Sequence, residues 1–343
     1  MTTLGIGGPA RYLVEGSATA AQEVVRQAWD LGSGRVMVLG SGSNLLVSDA
    51  GFDGAVLRWT GETPTAADRG CDVGRLTVGA GAQWDDVVRD AVRRGWQGIE
   101  CLSGIPGLAG AAPIQNIGAY GQEVSDVVES VATVHPATGQ LERFAQDECG
   151  FGYRTSRFKG ELGDRVVVGL TLRLRPGAPA TVSYRDVAVA LDGAPSPSLQ
   201  RVREAVLVIR RSKSMIIEAG DPNRRSAGSF FVNPVVPVEV ADALAETHPT
   251  LPRYPVERGV KLPAAWLIEQ SGTKRGERLG PVGISTRHTL ALVNVDGDAR
   301  AEDLLRLAAL VRRRVSTAFG VSLDPEPVFV GFDASPREVL DAA

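Results

Sequence analysis

The chain has 343 residues, which is more than one small domain needs, so we expect two or three packed units. Its 43% apolar content argues against a disordered chain, and its formal net charge of −3 gives no general reason to expect nucleic acid or an anionic membrane as a partner. No apolar run approaches the roughly 20 residues of a membrane span, and the N-terminus lacks the features of a signal peptide, so we expect a cytoplasmic protein.

The first part of the chain predicts short strands and helices joined by tight turns. A helix is expected to begin after Thr19, which would form a capping box with Gln22. A buried strand is predicted over residues 36–39, and a second helix over residues 84–94, ended by Gly95.

The later part of the chain predicts strands followed by a separate α+β unit. Strands are expected over residues 127–134 and 166–174, and the Pro/Gly/Ser-rich stretch 193–198 is the candidate linker. The pattern then predicts, in order, a helix near 202–209, a strand in SFFVNP, a helix at 262–270, a strand at 289–294 and an amphipathic helix over 302–319 closed by Gly320.

Cysteine and histidine are sparse, whereas glycine is abundant. The three cysteines and three histidines are dispersed and contain no CxxC pair, so neither a disulfide framework nor a metal site is expected. Any redox chemistry would then need an organic cofactor. Forty of the 343 residues are glycine, above the usual ~7%, and their positions are informative.

The first glycine loop, residues 40–44, directly follows the predicted strand at 36–39. Its small residues could bring several main-chain N–H groups to one diphosphate. A Rossmann fingerprint would need a glycine at Leu45, and a Walker loop would need a lysine, but none occurs before Lys159. A tight turn of small residues explains the loop equally well.

The second glycine segment, residues 98–121, carries five glycines between Gly104 and Gly121. A main chain held close to a large flat ligand would explain them, with Gln115 and Asn116 as polar contacts. A buried loop packed on itself is the alternative. Together the two segments suggest a dinucleotide bound by an architecture that is neither Rossmann nor Walker.

Seven strings resemble, in order, the UDP-N-acetylenolpyruvoylglucosamine reductase (MurB) family, flavoenzymes that make UDP-N-acetylmuramate for peptidoglycan. The resemblance extends from Thr2 to about Gly331. The strings are TTLGIGGPA, LGSGSNLLVSDAGFDG, LSGIPGLAGAAPIQNIGAYGQEV, FGYRTSRFK, SAGSFFVNP, KLPAAWLIEQSG and DPEPVFVG.

The resemblance implies an α+β fold with an FAD-binding lobe of the vanillyl-alcohol-oxidase (PCMH) type and a C-terminal α+β substrate-binding domain. The expected boundaries are residues 1–200 for the FAD-binding lobe, with subdomains at about 1–58 and 59–200. Residues 201–322 would form the substrate domain, and residues 323–343 would carry Glu326 back to the active site. The implied partners are noncovalent FAD, NADPH and a UDP-sugar, and a monomer is expected.

The resemblance also implies three catalytic residues. Arg154 would stabilise charge that develops on the substrate carboxylate, Ser229 would donate a proton, and Glu326 would help to polarise the enol. From the residues alone, a surface ion pair, a small residue at a strand start and an exposed carboxylate in a Pro-rich turn remain alternatives.

The implied binding residues extend over both lobes. The first loop would hold the FAD diphosphate through Leu39, Gly40, Ser41, Gly42, Ser43, Asn44 and Leu45. The second segment would lie along the flavin and ribityl chain through Ser103, Gly104, Ile105, Pro106, Gly110, Ala111, Ala112, Gln115, Asn116, Ile117, Gly118 and Ala119. The substrate would contact Tyr153, Tyr184 on a mobile loop, Lys213 at the diphosphate, Asn233 and His288.

Two other functions remain open at this point. A non-catalytic flavin or nucleotide-sugar binding module would have lost Arg154, Ser229 or Glu326, but all three are present. A flavin oxidase of the same wider fold often attaches FAD through His or Cys, and the first glycine loop contains neither.

Overall fold

The structure, a computed structural model, describes residues 1–60, 65–70 and 72–343. Cys71, one of the three cysteines counted above, lies outside the described residues. The chain forms two compact units, each assembled from separate stretches of sequence. We call residues 10–41 and 53–216 the central unit, and residues 1–9, 42–52 and 217–343 the terminal unit.

The described strands are β1 (Ala10–Gly16), β2 (Val36–Leu39), β3 (Leu45–Val47), β4 (Phe52–Trp59), β5 (Thr65–Arg69), β6 (Gly74–Gly79), β7 (Trp96–Gln97), β8 (Gly118–Ala119), β9 (Gln122–Glu123), β10 (Val128–Val134), β11 (Leu141–Ala145), β12 (Val166–Pro176), β13 (Val235–Val236), β14 (Tyr254–Val256), β15 (Gly259–Lys261), β16 (Arg278–Leu279), β17 (Val282–Ile284), β18 (Leu292–Asn294) and β19 (Val328–Val330). The described α-helices are α1 (Ala21–Leu31), α2 (Trp84–Arg93), α3 (Arg185–Ala190), α4 (Leu199–Ser212), α5 (Val238–Thr247), α6 (Ala264–Gln270), α7 (Ala301–Phe319) and α8 (Pro336–Ala342). None of these helices is long and apolar enough to cross a membrane.

The central unit is built on an antiparallel sheet in the order β11–β10–β12–β6–β5, with β7 paired to β12. In β6, Leu76 and Val78 are buried while the intervening residues are exposed, as the two-residue period of a strand requires. These side chains share one hydrophobic core with Val88 and Ala91 of α2. The predicted helix at α2 is confirmed, and Gly95 follows it with φ +70°.

A second sheet of the central unit, in the order β1–β4–β2, shares a core with α1. Helix α1 is confirmed, but its predicted capping box is wrong. The Ser17 hydroxyl accepts from the Thr19 N–H and starts a short 3-10 turn before the helix. The Gln22 side chain instead donates to the Gly139 carbonyl over 2.9 Å.

The candidate linker at residues 193–198 lies between α3 and α4, inside the central unit. Helix α4 belongs to this unit because Val202 and Val206 pack in one cluster with Cys101 and Val187. The boundary between units therefore follows residue 216, whereas the sequence predicted it near residue 200.

The terminal unit is organised around α7. Its apolar side chains at helical spacing, including Leu304, Leu307 and Val311, are buried, and Gly320 ends the helix at φ +65°. Residues 42–52 belong here because the Asp49 carboxylate accepts from the Ala301 N–H at the start of α7 over 2.9 Å. Strands β3 and β19 pair in parallel.

The SFFVNP stretch is not the regular strand predicted from its sequence. Phe230 and Phe231 are both 1% exposed, so consecutive side chains are buried and the alternation of a strand is lost. Their main chain pairs with different partners in turn: the Phe230 N–H donates to the Leu290 carbonyl, and the Val232 N–H donates to the Asp324 carbonyl.

Candidate active site

The two predicted catalytic residues of the terminal unit, Ser229 and Glu326, lie on neighbouring main-chain segments. The Glu326 N–H donates to the carbonyl of Phe230, the residue after Ser229, over 2.9 Å. Phe231 and Pro325 form the adjoining antiparallel bridge. The fold thus brings together two residues that are far apart in the sequence.

The end of the first glycine loop is attached to the same place. Asn44 Nδ2 donates to the Glu326 carbonyl over 3.4 Å, and the Val328 N–H donates to the Asn44 carbonyl over 3.0 Å. These bonds lead into the parallel pairing of β3 and β19. A residue predicted to hold the cofactor therefore contacts the main chain of a predicted catalytic residue.

The first residues of the chain also contact the loop. The Thr3 N–H donates to the Gly42 carbonyl over 3.0 Å. The Thr3 hydroxyl oxygen lies 2.6 Å from the Ser226 carbonyl and 3.2 Å from the Gly42 carbonyl. Gly42 has φ +66°, and a Cβ there would lie 2.7 Å from the Met1 carbonyl oxygen, so this position favours glycine.

Ser229 follows a glycine in the left-handed region. Gly228 has φ +71°, and a Cβ built on it would meet nothing within 4 Å. Ser229 is half-buried, and its hydroxyl makes no hydrogen bond within the part of the chain that the structure describes. The side chain can therefore serve a ligand without first breaking a bond to the protein.

The first glycine loop fits FAD in one respect that the structure shows directly. Among the described residues, a Cβ on Gly40 would have only the Leu108 side chain within 4 Å, at 3.9 Å. This side of the loop leaves room for a ligand. Residues 40–44 contain neither cysteine nor histidine, so the loop itself offers no such nucleophile for covalent attachment of a flavin.

The glycines of the second segment are explained largely by packing within the protein. A Cβ on Gly110 would lie 2.6 Å from Ala80, and one on Gly104 would lie 2.8 Å from Leu207. A Cβ on Gly118 would lie 2.8 Å from the Glu123 side chain. Packing against residues outside the segment therefore accounts for these three positions, so neither a flat ligand nor a loop packed on itself is needed to explain them.

The Asn116 side chain, predicted as a polar contact for the cofactor, forms its hydrogen bonds within the protein. Its Nδ2 donates to Glu123 Oε2 over 2.8 Å and to the Gly152 carbonyl over 3.2 Å. Its Oδ1 accepts from the Ser125 N–H over 3.0 Å. Both amide hydrogens are thus engaged, so the side chain has no hydrogen left to donate to a cofactor.

The other predicted cofactor residues differ in exposure. Ser103 is fully buried, and its hydroxyl donates to the Glu100 carbonyl over 2.6 Å. Leu39 and Ala112 are also buried, whereas Ala111 is exposed. The half-buried members are Ser41, Ser43, Leu45, Ile105, Pro106, Gln115, Ile117 and Ala119.

Arg154 lies in the central unit, in a turn closed by a bridge between Gly152 and Thr155. Its φ of +54° is unusual for a residue with a side chain. Its Nη2 donates to the Gly118 carbonyl over 2.9 Å, and its guanidinium carbon lies 5.5 Å from the centre of the Tyr153 ring. Arg154 is therefore attached to the second glycine segment.

Tyr184 and Lys213 both lie in the central unit. The Tyr184 ring packs edge-on against Tyr120, with centroids 5.4 Å apart. Lys213 Nζ lies 3.1 Å from Asp186 Oδ2 at the start of α3. The sequence assigned Lys213 to the C-terminal domain, but α4 carries it into the central unit.

The sequence analysis did not predict a charged network formed by Asp85, Arg203 and the main chain of Gly104. Asp85 binds Arg203 through two short bonds of 2.6 and 2.7 Å, and it accepts from the Gly104 N–H over 2.6 Å. Burial alone would raise the pKa of Asp85, but the hydrogen bonds from Arg203 and Gly104 outweigh burial and hold it below its ordinary value. Arg210 donates to the Gly104 carbonyl over 3.1 Å and to the Met215 carbonyl over 2.8 Å.

Asn233 and His288, two predicted substrate residues, lie in the terminal unit. Asn233 Oδ1 accepts from the Ala264 N–H over 2.9 Å at the start of α6. His288 Nδ1 accepts from the Leu290 N–H over 3.1 Å, and the Leu290 carbonyl accepts from Phe230. The turn that carries His288 is thus bonded to the segment that carries Ser229.

Two family models match the chain. The model of the UDP-N-acetylenolpyruvoylglucosamine reductase C-terminal domain matches residues 221–330, and an FAD binding domain model matches residues 9–145. The reductase of Nocardia farcinica is 45% identical, over 96% of this chain and 87% of its own length. That of Salinispora arenicola is 44% identical, over 96% of this chain and 93% of its own length.

A solved structure agrees with the sequence comparisons. MurB from Thermus caldophilus aligns with a TM-score of 0.63 and 30% identity, over 96% of this chain and 95% of that one. The chain belongs to the UDP-N-acetylenolpyruvoylglucosamine reductase family. The predicted family, the α+β fold with an FAD-binding lobe, the oxidoreductase class of peptidoglycan precursor synthesis and FAD as cofactor are confirmed.

Proposed function

We propose that this chain reduces UDP-N-acetylglucosamine enolpyruvate to UDP-N-acetylmuramate and uses NADPH as the co-substrate. We also propose that it acts as a monomer. One observation carries the proposal. The segment of Ser229 is hydrogen-bonded to the segment of Glu326, and Asn44 bonds the Glu326 segment to the first glycine loop. A proton donor and a polar group held beside a cofactor loop are what a reductase of this kind needs.

Bound FAD supplies the hydride for this reaction. Hydride addition to the terminal carbon of the enolpyruvyl group leaves enolate-like charge on the adjacent carbon and its carboxylate. The protein must stabilise this charge and deliver one proton to the adjacent carbon, which completes the saturated lactyl ether.

Ser229 donates that proton in our proposal. Its hydroxyl makes no hydrogen bond within the described residues, and a Cβ built on the preceding Gly228 would meet nothing within 4 Å. Serine is a weak acid, so its surroundings must offset the charge left on its oxygen. We assign Glu326, whose N–H bonds the carbonyl of the residue after Ser229, to polarising the enol.

Arg154 stabilises the charge on the substrate carboxylate. A guanidinium can offer two parallel N–H donors to a carboxylate, which an ammonium group cannot. The bond from Nη2 to the Gly118 carbonyl and the adjacent Tyr153 ring restrict the orientation of the side chain. Tyr153 would then line the carboxylate site.

The UDP part of the substrate is assigned to four residues. Lys213 and Asn233 would contact the diphosphate, and His288 would contact the nucleotide. Lys213 would exchange its present partner Asp186 for phosphate. Tyr184, which is 45% exposed, would close over the substrate and exclude water from the hydride step.

FAD would be held without a covalent bond. The diphosphate would lie at residues 39–45, where Gly40 leaves room. The flavin and ribityl chain would contact the main chain of residues 103–119, since the Asn116 amide is already engaged.

The proposed function is tested with the purified protein. It should be yellow and release intact FAD on denaturation. Continuous oxidation of NADPH, beyond the one equivalent that reduces the bound flavin, should require the enolpyruvyl UDP-sugar, and UDP-N-acetylmuramate should form in equal amount. NADH in place of NADPH tests the co-substrate, and a colourless protein that FAD does not reconstitute would contradict the proposal.

A further inference from the structure

We propose that Thr3 is a positioning residue for the reaction: its hydroxyl holds the turn that ends at Ser229 against the main chain of the first glycine loop. The inference rests on the proposed function, because it takes Ser229 as proton donor and the loop as part of the FAD site. It concerns a residue to which neither the motifs nor the family resemblance gives a role.

The contacts of Thr3 join two main-chain segments that carry different parts of the reaction. Its N–H donates to the Gly42 carbonyl over 3.0 Å. Its hydroxyl has a single hydrogen, and the nearer acceptor is the Ser226 carbonyl at 2.6 Å. One side chain therefore fixes the distance between the loop and the residue three positions before Ser229.

The turn between Ser226 and Ser229 connects the contact of Thr3 to the position of the Ser229 side chain. Ser226 is 9% exposed and forms a bridge with Val293, so its main chain is held on one side by the core. The Gly228 N–H donates to the Ser226 hydroxyl over 3.4 Å, and Gly228 adopts φ +71°. A shift of the Ser226 carbonyl would therefore move the Ser229 side chain.

A second path joins the same elements from the opposite end of the loop. Asn44 bonds the Glu326 carbonyl, and the Glu326 N–H bonds the Phe230 carbonyl. Thr3 and Asn44 thus attach both ends of the Gly42–Asn44 stretch to the segment around Ser229. Occupation of the loop and placement of Ser229 are coupled through these two attachments.

The test compares Thr3→Val, which keeps the shape and removes the hydroxyl, with Thr3→Ser, which keeps the hydroxyl. Thr2→Val is the matched control, because the bond of the Thr2 hydroxyl within the described residues is a local one, to the Ile6 carbonyl over 3.1 Å. The holoenzymes are compared in the dissociation constant of FAD, in kcat and KM, and in the solvent deuterium isotope effect on flavin oxidation by the enolpyruvyl UDP-sugar.

Thr3→Val should weaken FAD binding and lower kcat, each by about three- to tenfold, with KM changed less than about twofold. The solvent isotope effect should rise, because a misplaced proton donor makes proton transfer slower relative to the other steps. Thr3→Ser and Thr2→Val should both behave like the wild type.

The proposal is overturned if Thr3→Val leaves FAD binding and the isotope effect unchanged, or if Thr2→Val or Thr3→Ser causes an equal loss. Thr3→Ala replaces Thr3→Val if the valine variant does not fold. Failure of the proposed function would appear separately, as wild-type protein that does not convert the UDP-sugar.

Discussion

The N–H of Glu326 donates to the carbonyl of Phe230 over 2.9 Å, and this bond places Glu326 beside the chain segment of Ser229. The two segments are joined by single bonds and an isolated bridge instead of a continuous ladder. The Phe230 and Val232 N–H groups bond different segments, and consecutive side chains at Phe230 and Phe231 are both buried, so the alternation that a strand imposes is absent here.

Arg154→Lys should lower kcat by about 100-fold, because lysine keeps the charge but loses the paired donors and the bond to the Gly118 carbonyl. The measurement is steady-state NADPH oxidation with the enolpyruvyl UDP-sugar. Arg157→Lys is the control from the short 3-10 helix that follows this turn, since Arg157 pairs with Glu161 on the surface and should retain near-normal activity. Equal losses in both variants would contradict the role of Arg154.

Asp85→Asn should destabilise the protein by about 2 kcal/mol or more, because Arg203, whose side chain is 8% exposed, would lose its charged partner. Urea unfolding measures the change. Asp86→Asn is the matched control: Asp86 pairs with Arg89 in the same helical turn, where both side chains are half exposed, and should cost under about 1 kcal/mol.

The ion pair of Asp85 and Arg203 also predicts that the stability of the protein depends on pH. The pKa of Asp85 is lower in the folded chain than its ordinary value of 3.8. Its contribution to stability is therefore fully present above the unfolded pKa and is lost as pH falls through the folded pKa. The difference in unfolding free energy between wild type and Asp85→Asn should shrink from pH 7 to pH 3, and a constant difference would contradict the ion pair.

Gly104→Ala should destabilise the protein by about 2–4 kcal/mol, because alanine is strained at φ +72° and its Cβ would lie 2.8 Å from Leu207. Gly177→Ala is the control that measures the cost of backbone strain alone, since Gly177 has φ +69° and a Cβ there would meet nothing within 4 Å. Thermal unfolding should show the larger loss for Gly104→Ala, and equal losses would contradict close packing at Gly104.

Two buried thiols should be unreactive in the folded protein. Burial, helped by Glu100, raises the pKa of Cys101 to about 12, and burial, helped by Glu148, raises the pKa of Cys149 to about 11. Less than about 1% of either thiol is then ionised at pH 8, so iodoacetamide should label them only after unfolding. Mass spectrometry of the peptides measures this, and labelling of native Cys101 would contradict the structure.

The elements with a local signal could be predicted from the sequence. The helical spacing of apolar residues and the terminal glycine located α7, and an apolar strand followed by small residues located the first glycine loop, although only Leu39 of that strand is fully buried. Ser229, Arg154 and Glu326 carry no such signal by themselves, and only the family motifs singled them out.

The features that the sequence could not predict depend on contacts between distant residues. Asp85 looks like an ordinary acidic residue at a helix start, and nothing local pairs it with Arg203. The membership of residues 42–52 in the terminal unit follows from Asp49 at the start of α7, a contact without a spacing rule. SFFVNP has the apolar content of a strand, but the burial of both Phe230 and Phe231 is set by tertiary packing.

The central claim is that Ser229 delivers the proton, and single-turnover mixing tests it most directly. Holoenzyme is first reduced with NADPH and then mixed with the enolpyruvyl UDP-sugar while the flavin absorbance is followed. Ser229→Ala should be reduced at a normal rate but reoxidised at least about 100-fold more slowly, whereas Ser316→Ala, an exposed serine on α7, should match the wild type. Reoxidation of Ser229→Ala at the wild-type rate would contradict the account.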